Sequence, residues 1–212
     1  MAILLLPGDS GGESAADIVA RYSQGSDGYL RAAVAEGVSV GLLVIFVAGL
    51  HGAVARADEG ARTLSRAAAI GATAALTLLL LGFALIATLA YRTAADADAD
   101  VVIALYDLSS LAGQFGLFAL VVFLFANGAV MVRTGAVSRR LGYAALGLGA
   151  LSVVAAGGLE QHGILSVHDG LGFLALALVY VWVLAASVLL LRRARRSRHA
   201  RRHDIRAANS SV

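Results

Sequence analysis

Residues 67–91 read AAAIGATAALTLLLLGFALIATLAY, 25 positions in a row without Asp, Glu, Lys, Arg or His. About 20 predominantly apolar residues in a helix cross the roughly 30 Å hydrocarbon core of a bilayer. The run Leu78-Leu79-Leu80-Leu81 does not alternate polar with apolar positions, as a barrel strand would. Lipid offers no partner to unpaired backbone amides, so the stretch is a helix that satisfies them internally.

Working outward from this segment, four more apolar stretches appear: Ala33–Ala55 before it, and Val101–Val132, Leu141–Leu159 and Leu171–Leu191 after it. Five spans follow, and the third is longer than a straight crossing needs, so its first turns are expected to rise above the hydrocarbon. The whole chain agrees. It has 212 residues, 59% hydrophobic and 15% charged, against about 45–50% and about 25% in soluble domains. A soluble globular enzyme is excluded. The absence of Cys removes disulfides, thiol catalysis, iron–sulfur clusters and Cys-type zinc sites. The opening Met1–Pro7 is too short for a signal-peptide core and has no basic leader, so it is expected to be retained.

Charge sets the orientation. The first connection carries Arg56, Arg62 and Arg66, the third carries Arg133, Arg139 and Arg140, and the C-terminal run from Arg192 to Arg206 holds eight of the 17 Arg. The second connection has Arg92 against Asp96, Asp98 and Asp100, and the fourth has Glu160 and Asp169 with no Arg. Cytoplasmic loops are enriched in basic residues. This puts 14 Arg inside and 3 outside, with the N-terminus out and the C-terminus in. The net charge of +3 therefore records topology rather than nucleic-acid binding, and no nucleic acid is expected. Arginine takes every basic position and lysine none, which a GC-rich genome accounts for.

Before the first span, Ala15, Ile18, Val19 and Tyr22 fall at i, i+3, i+4 and i+7, one helical face. A short amphipathic helix is expected there, lying on the outer membrane surface, over the outer ends of the bundle, or both. The chain thus divides into an extracytoplasmic segment (1–30), a five-helix transmembrane domain (31–193) and a basic cytoplasmic tail (194–212). In the fourth span Ala145, Gly149, Ser152 and Ala156 form a small-residue stripe, and Ser109/Gly113 and Ala112/Gly116 do so in the third. Small residues let membrane helices approach closely. Packing within the chain is the expected use, with a homodimer or a membrane-protein partner as the alternative. Tyr91, Tyr106 and Tyr143 suit the interfacial belts, whereas Trp182 and Tyr180 fall mid-span and are expected inside the bundle.

Candidate chemistry gathers at the outer helix ends. Asp107, Ser110 and Gln114 share one face of the third helix, with Glu36 at the outer end of the first span and Arg92 after the second. Together they are a candidate outward-facing site for a small ligand, a proton or a divalent cation. Glu160, His162, His168 and Asp169 are a candidate metal set in the fourth connection. His51 lies at the opposite end from His162 and His168, so they cannot face one another across a haem. No cofactor is expected. His51 is instead expected to hydrogen-bond Asn127 between helices. Arg192, Arg193, Arg195 and Arg196 open the tail where anionic lipid headgroups attract basic side chains.

Several segments carry a resemblance. Ala16-Asp17-Ile18-Val19-Ala20-Arg21-Tyr22, Arg56-Ala57-Asp58-Glu59-Gly60, Ala104-Leu105-Tyr106-Asp107-Leu108, residues 133–142 (RTGAVSRRLG) and Trp182-Val183-Leu184-Ala185-Ala186-Ser187 together resemble an uncharacterised actinobacterial multi-pass integral-membrane family, a domain of unknown function. The likeness spans about residues 13–193. It implies a fold and a bacterial plasma-membrane location, and no activity. The expected function is a non-enzymatic bundle that binds a partner protein, lipid or small ligand. The alternatives are a transport or permeation component using the outward-facing polar site, and a haem-binding redox membrane protein.

Overall fold

The structure, a computed structural model, describes residues 15–58, 62–93, 98–157 and 171–209, with the backbone alone for residues 15, 92, 93, 157, 171–173 and 196–209. Every element is helical: α1 (Ala15–Gln24), α2 (Ser26–Ala57), α3 (Thr63–Thr88) with a π-helical turn at Leu89–Thr93, α4 (Ala99–Thr134), α5 (Arg139–Gly157) and α6 (Leu171–Asn209). No strand occurs among the described residues.

The apolar face read for α1 is the face it buries. Ile18 and Tyr22 are enclosed, packed with Tyr29 of α2, Leu89 and Ala90 of the π turn, and Val102 of α4. The helix therefore caps the ends of three others, and its apolar side chains meet protein. One residue, Gly25, separates α1 from α2. A Cβ there would lie 3.1 Å from both the Arg21 carbonyl and the Tyr29 ring, so the tight junction favours glycine. It brings the Tyr22 and Tyr29 rings to 4.6 Å. Helix α2 thus begins well before the apolar stretch that marks its span.

Helix α4 is the central element. It packs most extensively on α3 and α5, while α2 lies along α3 and touches α6, and α5 bridges α4 to α6. At 36 residues it is about 54 Å long. The surplus over a bilayer crossing is spent at its start, where Val102 and its partly buried neighbours Leu105 and Tyr106 support α1. It stops at Gly135, whose φ of 67° and amide bond to the Met131 carbonyl (2.9 Å) make a left-handed helix cap.

Glycine sets the spacing of the central three helices. A Cβ on Gly71 of α3 would meet the Ala119 carbonyl and the Phe123 amide of α4 at 2.9 Å. Gly128 of α4 and Gly142 of α5 face each other: a Cβ on Gly128 would stand 2.9 Å from the Gly142 carbonyl, and one on Gly142 would stand 2.9 Å from Met131 Cβ and the Val132 amide. The α5 stripe of Ala145, Gly149, Ser152 and Ala156 is buried, with Phe125 of α4 against Gly149. On α4, Ser109, Ala112 and Gly116 are likewise buried, against α3. These small residues serve packing within the chain, whereas Gly113 is only partly buried and a Cβ on it would meet nothing within 4 Å.

Trp182 ties α6 into this core. It is 3% exposed, stands edge-on to Phe46 of α2 and Phe123 of α4 with centroids 6.2 and 6.1 Å away, and donates its indole N–H to the Leu141 carbonyl of α5 at 2.9 Å. A buried indole N–H needs such an acceptor, and the bond is worth about 1 kcal/mol net.

Among the described residues, four helical segments are long and apolar enough to cross a membrane: Ser26–Ala57, Thr63–Tyr91, Ala99–Thr134 and Leu174–Arg195. The protein is an all-helical bundle with the character of a membrane protein.

Candidate functional site

The interior polar residue that stands out is Glu36. On α2 the buried positions Tyr29, Ala32, Glu36 and Val40 recur at helical spacing, so the carboxylate points into the bundle and is 2% exposed. Above it, towards the chain start, lies the cluster that holds α1. Below it, Leu43 and Phe46 of α2 begin the lining of an apolar cavity of about 60 Å³. Ala72 and Ala75 of α3, Phe123 of α4 and Tyr180 of α6 complete its walls with other aliphatic side chains.

Tyr180 connects the two features. Its half-buried ring lines the cavity, and the phenol lies within electrostatic range of the Glu36 carboxylate. The sequence placed Tyr180 inside the bundle, and it is half-buried on the cavity wall. Trp182 stands behind the same wall, edge-on to the cavity residues Phe46 and Phe123. A cavity lined in this way offers water almost no hydrogen-bonding partner and favours hydrocarbon.

The other candidate residues have different surroundings. Asp107 is exposed. Ser110 is partly buried and donates to the Tyr106 carbonyl of its own helix at 3.2 Å, and Gln114 is partly buried. The buried side of α4 runs instead through Val102, Ser109, Ala112 and Gly116. Exposed Asp107 and enclosed Glu36 therefore occupy different environments. The Arg92 side chain lies outside the described residues, as do Glu160, His162, His168 and Asp169. Among the described residues no three His, Asp or Glu side chains gather to hold a metal.

No family model, curated protein or solved structure matches the chain. The functional reading therefore rests on the site alone.

At the other end of the bundle the expected pairing of His51 with Asn127 does not form. Asn127 is buried and its amide donates to the Phe123 carbonyl one turn back at 2.9 Å. The buried Nδ1 of His51 has no hydrogen-bond partner among the described residues. A side chain that can reach its own helix's carbonyl pays less ordering entropy than one that must reach across. Near the α2–α3 turn, Asp58 accepts the Ser65 amide at 3.3 Å and anchors the start of α3. In the tail, Arg192, Arg193 and Arg195 are exposed, and the Arg196 side chain lies outside the described residues.

Sequence reasoning missed the cavity and the burial of Glu36. A signal was present: Glu36 falls seven residues after Tyr29 and seven before Leu43, on one helical face. What hid it was the apparent start of the span at Ala33, which put Glu36 at an exposed end.

Proposed function

We propose that the chain is a five-span bundle of a bacterial plasma membrane, N-terminus outside and C-terminus inside, that binds the alkyl chain of a lipid or similar amphiphile without chemical change. The observation that carries the binding reading is the apolar cavity between α2, α3, α4 and α6, with Tyr180 on its wall.

For the fourth of these spans, which brings the count to five, the support is the packing of α5. Its 19 residues give about 28 Å of helix, close to the hydrocarbon thickness. Its contacts fall against Phe125, Gly128, Met131 and Val132, in the apolar part of α4, and it runs antiparallel to that helix. For orientation, the support is the distribution of Arg between alternate connections. The bacterial location rests on the actinobacterial resemblance and the Arg-only basic complement. The exposed arginines that open the tail suit contact with anionic lipid.

The binding reading is tested with the single Trp. Reconstituted into vesicles whose phosphatidylcholine carries brominated acyl chains, the protein should show quenched Trp182 emission, because a chain in the cavity approaches the indole through Phe46 and Phe123. Leu76→Phe, which fills the cavity from α3, should restore much of the emission. Equal quenching in both proteins would count against an occupied cavity.

A further inference from the structure

We infer that the exposed face of α2 docks a second copy of this chain, the two helices running parallel and in register about a two-fold axis along the membrane normal.

The observations lie on α2 and are independent of what the cavity holds. Opposite the buried line of Tyr29, Ala32 and Val40, the residues Asp27, Arg31, Val34, Val38, Ile45 and Ala48 follow at steps of four, three, four, seven and three. That spacing is the 3.5-residue repeat of a left-handed coiled-coil seam, which keeps two helices in contact along their length. All six are exposed, and Val34, Val38 and Ile45 keep 62–70% of their surface. At the inner end Gly52 follows Ala48 by one turn, and a Cβ on it would meet nothing within 4 Å. Small residues one turn apart let membrane helices approach closely.

Charge identifies the occupant. The outer end of the seam carries both signs one turn apart. Arg31 turns its Nε to the Asp27 backbone carbonyl at 3.0 Å, and among the described residues neither the carboxylate nor the guanidinium has an ion-pair partner. A face of this kind is complementary to itself. Copies inserted in one membrane share an orientation, so a two-fold axis along the normal sets their α2 helices parallel. Helical side chains lean towards the N-terminus, which carries each Arg31 to the level of Asp27 in the other copy. Two symmetric ion pairs result, and they fix the register. A lipid tail answers neither charge, and a partner of one sign would repel one of the two.

The area suffices. Helix α2 has 32 residues and is about 48 Å long, so a strip about 10 Å wide along it hides about 480 Å² per copy. The pair hides about 1,000 Å² in total, the size at which specific interfaces begin.

The test is disulfide trapping in native membranes, since the chain has no Cys of its own. With copper phenanthroline as oxidant, Val34→Cys and Val38→Cys should each give a band of twice the chain's mass. Val44 is 51% exposed but about 120° round the helix from Val38, and Val44→Cys should give about tenfold less. Arg31→Asp or Asp27→Arg, each added to Val38→Cys, sets four like charges about the axis and should cut the yield about tenfold. Expressed together, with one enlarged by a tag, these two charge variants should cross-link to each other and hardly to themselves. All the substituted positions are exposed, so the unfolding midpoint in sodium dodecyl sulfate, with micelles in excess to keep copies apart, should not move. Equal cross-linking at positions 38 and 44, none at 38, or a band that joins the chain to a different protein overturns the inference. So does a yield at 38 that the charge variants leave unchanged, or that their co-expression fails to restore.

Discussion

Replacing Gly142 with alanine adds one methyl group at the tightest point between α4 and α5. The new Cβ would lie 2.9 Å from Met131 Cβ and from the Val132 amide nitrogen, where ordinary contacts span 3.4–4 Å. Neither neighbour is the movable end of a long side chain, so the two helices must part by about half an ångström or more. Such a gap forfeits about a quarter to a half of the dispersion energy of the contacts it opens, and overpacking of this kind costs about 1–3 kcal/mol. Against this stands the better helix propensity of Ala, about 1 kcal/mol. The net expectation is destabilisation by up to about 2 kcal/mol, or as much as about a 30-fold shift in the unfolding equilibrium. Gly41→Ala is the matched control: an exposed glycine of α2 with nothing within 4 Å of its Cβ position. It keeps the propensity term alone and should stabilise by about 0.5–1 kcal/mol. Both are measured by titrating sodium dodecyl sulfate into mixed micelles and following Trp182, whose bond to Leu141 adjoins the altered site. If Gly142→Ala unfolds at or above the Gly41→Ala midpoint, the close-packing argument is refuted.

Three further outcomes are expected. Phe123→Ala, which removes a 5%-exposed ring from both the cavity wall and the Trp182 cage, should lower stability by about 3–5 kcal/mol in the same titration; a loss under 1 kcal/mol would show that the core does not depend on this ring. Arg62, held at φ 49° before α3, should be replaceable by Gly with a gain of up to about 1 kcal/mol, and a lower midpoint would contradict the strain. Asp58→Ala removes the acceptor of the Ser65 amide and should cost about 0.5–1 kcal/mol, read as faster amide exchange in the first turn of α3 than in its middle.

What the sequence made legible was whatever depends on one helix at a time. The apolar faces of Ile18 and Tyr22, and the small-residue stripe from Ala145 to Ala156, follow from spacing alone and are buried as spacing requires. The placement of Trp182 and Tyr180 inside the bundle also followed, from their depth within an apolar run. Register between helices was not legible. Nothing in the sequence pairs Gly128 with Gly142, because that depends on how far α5 slides along α4. The π turn at Leu89–Thr93 was equally silent, its residue types being ordinary for a helix.

The candidate site was read in part. Glu36 was marked, but as the rim of an outward cluster, because the edge of the apolar stretch stood in for the edge of the bundle. The capping of that end by α1 turns a rim position into an interior one. Asp107 shows the converse: its polar face on α4 is real, yet the buried face of that helix runs through its small residues, since α3 and α5 need close approach more than they need polar partners. His51 and Asn127 are matched residue types whose pairing lost to a nearer carbonyl.

The central claim is the five-span topology, and parity tests it most directly. An odd number of crossings puts α1 and the tail on opposite sides, an even number on the same side. The chain contains no Cys, so single substitutions Gln24→Cys and Ser197→Cys each give one thiol for a membrane-impermeant maleimide. The account predicts that Gln24→Cys is labelled in intact cells and Ser197→Cys only after lysis. Labelling of both from the same side would contradict it, leaving four crossings and α5 outside the count.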